Sequence, residues 1–347
     1  MSKWYEKQGE EEIVISSRVR LARNVAEYHF PGKMKEKECA ELVRRVRECV
    51  PGLEQKEGLK YYSCSINKLT ETEKLSLKEW YIISDLIIGK EQETALVLAE
   101  DEGISIMVNE EEHLRIQSVA PGADIDGAYY RADRVDNYLE EQLSYAFDER
   151  YGYLTTSPAN AGTGMRASFL VFLPALTMAG KIQKLADEVA RYGILIRGIS
   201  EEGTKTQGFL YRISNQKTLG TTEREILDNL KLILNQIVQQ EQKYREHLGN
   251  VSAAEIMDKV YRSYGVLRHA KRMTKEDATL LLAQLKFGRD MGLISFAKEM
   301  NLYELMIRIQ PANLQKLCGR SMDAGERAAK RAEYLNRRMW EAGLREE

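Results

Sequence analysis

Cysteine is scarce in this chain. Cys39, Cys49, Cys64 and Cys318 are the only four in 347 residues, and no two form a C-x-x-C pair. With four histidines to complete a ligand set, a structural zinc site has little to build on, and free thiols are expected. No basic-then-apolar leader opens the sequence, which begins Met1-Ser2-Lys3-Trp4-Tyr5-Glu6. The most apolar stretch, Ala167 to Gly180, is too short to span a bilayer and carries Pro174. An excess of one charge is also missing. Lys and Arg number 51 against 53 Asp and Glu, a net charge of −2, so a nucleic acid is not expected as the main ligand. These absences predict a cytoplasmic protein with no direct nucleic-acid or membrane partner.

What is present is an ordinary globular composition, 43% hydrophobic and 30% charged, long enough for two domains. Ile13 to Arg20 reads as extended. Lys35 to Val50 has apolar residues at helical spacing and meets Pro51-Gly52, and Thr72 to Ile88 reads as a second helix. Thr94 to Ala99 and Ile104 to Val108 form a hairpin about Asp101-Glu102-Gly103, followed by an alternating run from His113 to Gln117. A helix is predicted over Gly127 to Phe147, and another from Met165 to Arg191, kinked near Pro174 and Gly180. Gly193 to Arg197 and Phe209 to Ser214 read as strands. Hairpins interleaved with helices favour an α+β fold, an antiparallel sheet flanked by helices. From Glu223 no strand pattern remains. One helix runs to Leu248, which places a boundary near residue 249: a catalytic-type domain over 1–249 and a smaller all-α domain over 250–347.

Four segments carry chemistry. In Ser16-Ser17-Arg18-Val19-Arg20, strand alternation aims Arg18 and Arg20 the same way, which suits a polyphosphate and equally a solvated basic edge strand. Asn109-Glu110-Glu111-Glu112-His113-Leu114-Arg115 is an acidic loop set between two strands. Ser157-Pro158-Ala159-Asn160-Ala161-Gly162-Thr163-Gly164-Met165-Arg166-Ala167-Ser168 reads as a Gly-rich turn opening a helix, an anion site or a simple helix entry. Arg197-Gly198-Ile199-Ser200-Glu201-Glu202-Gly203-Thr204 has Walker spacing, but Thr204 stands where the lysine belongs, so it is not a P-loop.

Taken together and in this order, the four segments resemble the phosphagen-kinase superfamily. Its S-S/T-R-V/I-R is matched at Ser16 to Arg20, and its N-E-E-D/E-H-L/I-R at Asn109 to Arg115. Its C-P-T/S-N-x-G-T-x-M/L-R-A-S falls at Ser157 to Ser168, and its R-G-x-x-x-E at Arg197 to Glu202, with I-S-N at Ile213 to Asn215. A short segment before the first motif and a helical region after the catalytic part are similar to the protein-arginine kinase branch.

The resemblance implies an ATP-dependent transfer of phosphate to a guanidino group, with Mg2+ carried on the nucleotide rather than in a protein metal site. It implies Glu111 and Glu202 as the catalytic carboxylates, with Glu111 the base. It implies nucleotide contacts from Ser16, Ser17, Arg18, Val19, Arg20, Tyr81, Arg115, Arg166, Ala167, Ser168, Arg197 and Gly198. It further implies protein substrates presenting arginine, a zinc-binding activator, a heat-shock repressor and a Clp unfoldase as partners, and a homodimer or larger assembly. Three positions depart from the pattern. Ser157 replaces the cysteine before Pro158, Tyr81 stands where a histidine is associated with the nucleotide base, and Ala328 replaces the aspartate of R-D-x-x-R-A. In that last motif Arg327 and Arg331 remain, the implied phosphoarginine-sensing pair. A kinase for a free guanidino metabolite and a catalytically weakened adaptor are the competing readings.

Overall fold

Residues 3–6, 13–199, 206 and 208–345 are described in the computed structural model of the chain. In chain order, β1 (Val14–Arg23) leads to α1 (Glu36–Glu57), β2 (Tyr61–Ser65), α2 (Glu71–Glu79), α3 (Asp85–Ile88) and β3 (Ala95–Ala99). Then come β4 (Ile104–Val108), β5 (Leu114–Pro121), α4 (Ile125–Gln142), β6 (Phe147–Asp148), β7 (Gly152–Tyr153) and β8 (Met165–Phe172). α5 (Pro174–Met178), α6 (Ile182–Ala190), β9 (Ile194–Gly198) and β10 (Leu210–Asn215) follow. The remainder is helical: α7 (Glu223–His269), α8 (Lys275–Asp290), α9 (Leu302–Arg308), α10 (Pro311–Cys318) and α11 (Ala324–Ala342). Among the described residues no helix is long and apolar enough to cross a membrane.

Eight strands form one sheet in the order β2-β3-β4-β5-β1-β8-β10-β9, while β6 and β7 pair apart from it. β2, β3, β4, β5 and β1 pair antiparallel, so the α+β class expected from interleaved hairpins is the class adopted.

The helix expected from Met165 to Arg191 needs correction. Met165–Phe172 is a strand next to β1, buried along most of its length, and helix begins only at Pro174. A strand covered on both faces reads as a continuous apolar run, and periodicity cannot separate that from a buried helix. The Gly-rich turn before it therefore opens a strand and presents no helix dipole. The helix expected over Thr72 to Ile88 is also broken. Tyr81 adopts φ 59° and turns Ile82, Ile83 and Ile87 into a cluster with Ile66, Leu96 and Met107. α1 runs through Pro51 to a left-handed Gly58, and α7 continues past Asn250 with its helical geometry broken at Ser252.

The chain forms two compact units. The first comprises Met1–Leu170, Val189–Leu195 and Ile213–Leu234. In it α4 packs on β1 and β5, and Arg23 reaches α4, its Nη2 donating to Asp136 Oδ2 at 2.7 Å and its Nε to the same oxygen at 3.0 Å. Because strand side chains alternate, Val19 and Leu21 are buried on the side of Arg23, and Arg18, Arg20 and Ala22 face away from α4.

The second unit comprises Val171–Glu188, Ile196–Arg212 and Asn235–Glu347. Its core contains charge. Glu241 is fully buried and accepts from the α5 backbone N–H groups of Ala175 at 3.0 Å and Leu176 at 2.9 Å, and from Arg245 Nε at 3.0 Å. Burial pushes the Lys286 amine down to about 8 although it pairs with Asp290, and its ammonium lies 4.6 Å from the Phe172 ring centroid. Removing one partner of such a buried pair leaves donors without acceptors in a dry interior. Glu241→Ala is therefore expected to cost about 3–5 kcal/mol, read as a lowered urea midpoint. Glu241→Gln, which keeps one acceptor oxygen, should recover part of the loss.

Candidate active site

The antiparallel register of β1 and β5 sets Arg20 opposite Gln117 and Ala22 opposite Arg115. Cross-strand partners share a face, so Arg18, Arg20 and Arg115 all project from the side of the sheet that α4 leaves open. Arg166 joins them from β8, with Nη1 donating to the Asn215 carbonyl at 3.3 Å and the Ala167 N–H donating to Asn215 Oδ1 at 2.8 Å. Arg20, Arg115 and Arg166 line one pocket with Ala22, Gly164, Asn160 and the three acids Glu110, Glu111 and Glu112. A cluster of planar cations beside carboxylates can hold a polyanion at one end and a cation at the other.

The acids come from the β4–β5 loop, and the structure gives each a different task. Glu110 is buried, pairs with Arg115, and accepts from Ser84 Oγ and from the Glu111 N–H at 2.8 Å. Glu112, 1% exposed, accepts four hydrogen bonds: from Asn24 Nδ2 at 2.6 Å, Thr156 N at 2.7 Å, Ser157 N at 3.1 Å and Asn160 Nδ2 at 3.2 Å. Glu111 is half-buried, and the contact to its carboxylate is a long one, Asn160 Nδ2 at 3.5 Å. Among the described residues, Glu111 is thus the acid of the three with the weakest hold on its carboxylate.

The strap from Leu154 to Gly164 closes the pocket. Glu112 holds its first half, and Thr218 holds the second, donating to the Ala161 carbonyl at 2.8 Å and accepting from Thr163 N at 3.0 Å. Gly164 has φ 62°, and a Cβ there would lie 2.6 Å from the Ala22 carbonyl oxygen, so only glycine lets strap and β1 meet.

The other sequence-derived residues are distributed as follows. Ser16, Ser17 and Val19 are buried in β1, with Ser17 Oγ donating to the Gly122 carbonyl at 2.7 Å, and Ala167 and Ser168 are buried in β8. Tyr81 is half-buried, and its carbonyl accepts from Gln117 Nε2 at 2.8 Å, beside the strand position opposite Arg20. Arg197 and Gly198 end β9 in the second unit, with Arg197 exposed. Glu202 lies outside the described residues. Arg331 is 3% exposed and donates to the Ile309 carbonyl at 3.0 Å and the Met273 carbonyl at 2.9 Å, while Arg327 Nη1 donates to the Met322 carbonyl at 2.6 Å. Sequence reasoning passed over Glu112, Asn160 and the Arg23–Asp136 pair. The available signal was three adjacent acids in one loop, which cannot all remain unpaired at a buried site.

His113 roots the loop. Its Nδ1 accepts from the Val25 N–H at 2.9 Å, which leaves Nε2 to donate to the His29 carbonyl at 2.9 Å, a neutral tautomer. Burial lowers its pKa from 6.5, opposed by the His29 carbonyl and Glu112. With the folded value below the unfolded one, the unfolded chain takes the proton first, and stability is lost as pH falls through about 6.5. The thermal midpoint should therefore fall more steeply between pH 7 and 5 for the parent than for His113→Asn, which keeps an acceptor for Val25 but does not titrate. Parallel curves would assign the acid sensitivity elsewhere.

Comparison with known proteins agrees with this geometry. Residues 41–244 match the family model of the ATP:guanido phosphotransferase C-terminal catalytic domain, and residues 253–346 that of the protein-arginine kinase McsB C-terminal domain. The chain is 40% identical to the protein-arginine kinase of Halothermothrix orenii over 98% of its own length and 97% of the relative's. It is 39% identical to that of Caldanaerobacter subterraneus, over 95% and 97%. Among solved structures it is similar to lombricine kinase, at 25% identity and a TM-score of 0.60 with 68% of each chain covered. It is also similar to the duplicated taurocyamine kinase of Schistosoma mansoni with bound transition-state-analogue components, at 25% identity and a TM-score of 0.58, over 67% of this chain and 33% of that one. The chain belongs to the ATP:guanido phosphotransferase family and, within it, to the protein-arginine kinases.

Proposed function

We propose that this chain transfers the γ-phosphate of ATP to the guanidino group of arginine side chains in proteins. The observation that carries the reading is Glu111, which lines the arginine-bearing pocket while the two buried acids beside it are each held by several donors.

Phosphoryl transfer asks a protein mainly for alignment and charge neutralisation. Arg18, Arg20, Arg115 and Arg166 hold the triphosphate through planar forks that stay protonated, and Arg197 is proposed as a further nucleotide contact on the strength of the family motif alone. Mg2+ carried on the nucleotide would add charge neutralisation for the triphosphate that these arginines hold. Ser16, Ser17, Val19, Ala167 and Ser168 shape the strands that carry these forks, and Tyr81 and Gly198 are each proposed as nucleotide contacts from the family motif. The acceptor guanidinium, protonated at any physiological pH, must lose a proton as its nitrogen attacks. Glu111 orients the fork and takes that proton while the N–P bond forms and the bond from Pγ to the bridging oxygen of ADP breaks. Glu202 is proposed as the second carboxylate on the acceptor. Ser157, in place of a cysteine, offers the acceptor a hydroxyl rather than a thiolate.

Protein arginine is preferred as acceptor because the relatives sharing nearly the whole chain are named for it. Residues 250–347 are proposed as a regulatory and oligomerisation domain following a catalytic domain over 1–249. With Arg331 donating to two backbone carbonyls, phosphoarginine sensing there would rest chiefly on Arg327. A cytoplasmic role in marking proteins for a Clp unfoldase and relieving a heat-shock repressor, with a zinc-binding activator, fits the same reading. So does assembly as a homodimer or larger.

Incubation with ATP and an unfolded arginine-bearing protein should yield acid-labile phosphoarginine by mass spectrometry. Product on free arginine alone would favour the metabolite kinase, and no product on either would favour the adaptor. Glu111→Gln should lower transfer by about 100-fold or more with ATP binding retained. Activity within a few-fold of the parent would remove Glu111 as base. Arg166→Lys should weaken both nucleotide binding and transfer, since an ammonium cannot supply two parallel hydrogen bonds. Full activity in that variant would show that net charge suffices.

A further inference from the structure

Ser84 stands at the N-cap of α3 with extended backbone, φ −94° and ψ 166°. A serine in that place ordinarily turns its hydroxyl onto the first backbone N–H groups of its own helix. Ser84 makes no such bond. Its hydroxyl donates instead to Glu110 Oε1, 26 positions further along the chain. A side chain that gives up its local contact for a distant one marks a place where fold and function make different demands.

The hydroxyl reaches that carboxylate because the segment from Tyr81 to Ser84 is fastened to the face of the sheet that carries the arginines. Gln117 Nε2 donates to the Tyr81 carbonyl at 2.8 Å, and Ser105 Oγ donates to the Ile82 carbonyl at 3.1 Å. Gln117 also donates to the Ser105 hydroxyl at 3.2 Å. Gln117 is opposite Arg20 on one side and Ser105 on the other, so these groups share one face with Arg20 and Arg115. Ile82 and Ile83 are buried, which denies the segment room to slide.

Glu110 has an equally firm footing. Asn109 before it takes the left-handed φ 61°, and its Nδ2 donates to the carbonyls of Cys39 at 3.1 Å and Glu93 at 2.8 Å. The Asn109 N–H donates to the His113 carbonyl at 2.9 Å, which closes the loop at its base. Glu110 then offers two oxygens with different duties. Oε1 accepts from Arg115 Nη1 and Ser84 Oγ, and Oε2 accepts from the Glu111 N–H at 2.8 Å. One buried carboxylate therefore joins an arginine of the pocket to the backbone of the acid read as the base. The last torsion of a glutamate is broad and nearly two-fold. With Arg115 alone on Oε1 the carboxylate could swing about it and take Arg115 and the Glu111 N–H along, and the Ser84 hydroxyl removes that freedom.

We propose that Ser84 is a positioning residue for the transfer, acting through Glu110. Its hydroxyl holds the carboxylate that sets Arg115 against the phosphate and Glu111 against the acceptor, and takes no part in the movement of proton or phosphoryl group. This rests on the reading of Glu111 as base and of the arginines as phosphate ligands. It does not depend on whether the acceptor is a protein arginine or a free guanidino compound.

Substitutions at this one position separate positioning from helix capping, with phosphoarginine formation by the full chain as the readout. Ser84→Asp keeps a good cap for α3, but it cannot donate and sets a second carboxylate against Glu110. Its kcat should fall by about five- to thirty-fold, and Ser84→Ala should lose a similar factor. Ser84→Thr, which keeps the hydroxyl, should stay close to the parent. The loss should fall on kcat, with the KM for ATP nearly unchanged because the other arginines still hold the nucleotide. In a Glu110→Gln background, Ser84→Ala should cost little more, since the path is already cut. Parent kcat in both Ser84→Asp and Ser84→Ala overturns the positioning role, and an undiminished cost in the Glu110→Gln background overturns action through Glu110. If Glu111→Gln is inactive while both Ser84 variants keep the parent kcat, the base assignment stands and this inference alone is lost. If Glu111→Gln stays active while Ser84→Asp loses kcat, the base assignment is lost and Ser84 acts through Arg115.

Discussion

The site depends on one buried carboxylate. Glu112 belongs to the β4–β5 loop, and its two oxygens accept from the residue after β1 and from the strap before β8. An ionised carboxylate out of water is costly unless its lone pairs are filled, and four donors fill these. The same bonds that keep Glu112 from being a catalyst fix Asn160 and Ser157 against the pocket. Removal of this anchor would release the strap while leaving the arginine face of the sheet in place.

That arginine face has a different origin. β1 and β5 hold their register through ladder hydrogen bonds, and the register puts every second residue of both strands on the open side. A slip of one residue would send Arg18 and Arg20 into the layer under α4 and bring Val19 and Leu21 out to water. The buried Arg23–Asp136 pair opposes that slip from the far face, since Arg23 is tied to α4 and to the Thr163 carbonyl at once. The arginine face is therefore a property of the sheet, and the acidic face of the pocket a property of the loops pinned to its edge.

The division explains which departures from the family pattern the fold accommodates easily. Ser157 lies on the strap, where backbone N–H groups make the structural contacts, so exchange of its side chain leaves the anchor intact. Tyr81 is placed through its backbone, by the carbonyl bonded to Gln117 and the left-handed turn that ends α2.

Local pattern in the sequence was enough for the hairpin of β3 and β4, the shared direction of Arg18 and Arg20, and the loop carrying Glu111, because alternation and turn residues act over a few positions. It failed at Met165–Phe172, where an apolar run beside Gly162 and Gly164 was read as helix. Position beside β1 in the sheet made it a strand, and that removed the helix terminus on which an anion site was expected. The sequence could not assign tasks to Glu110, Glu111 and Glu112. Three identical carboxylates in a row differ only in their partners, and those partners come from residues 24, 84, 115 and 156–160. Covalent order placed the acids in one loop, and long-range hydrogen bonding gave each of them a different set of partners.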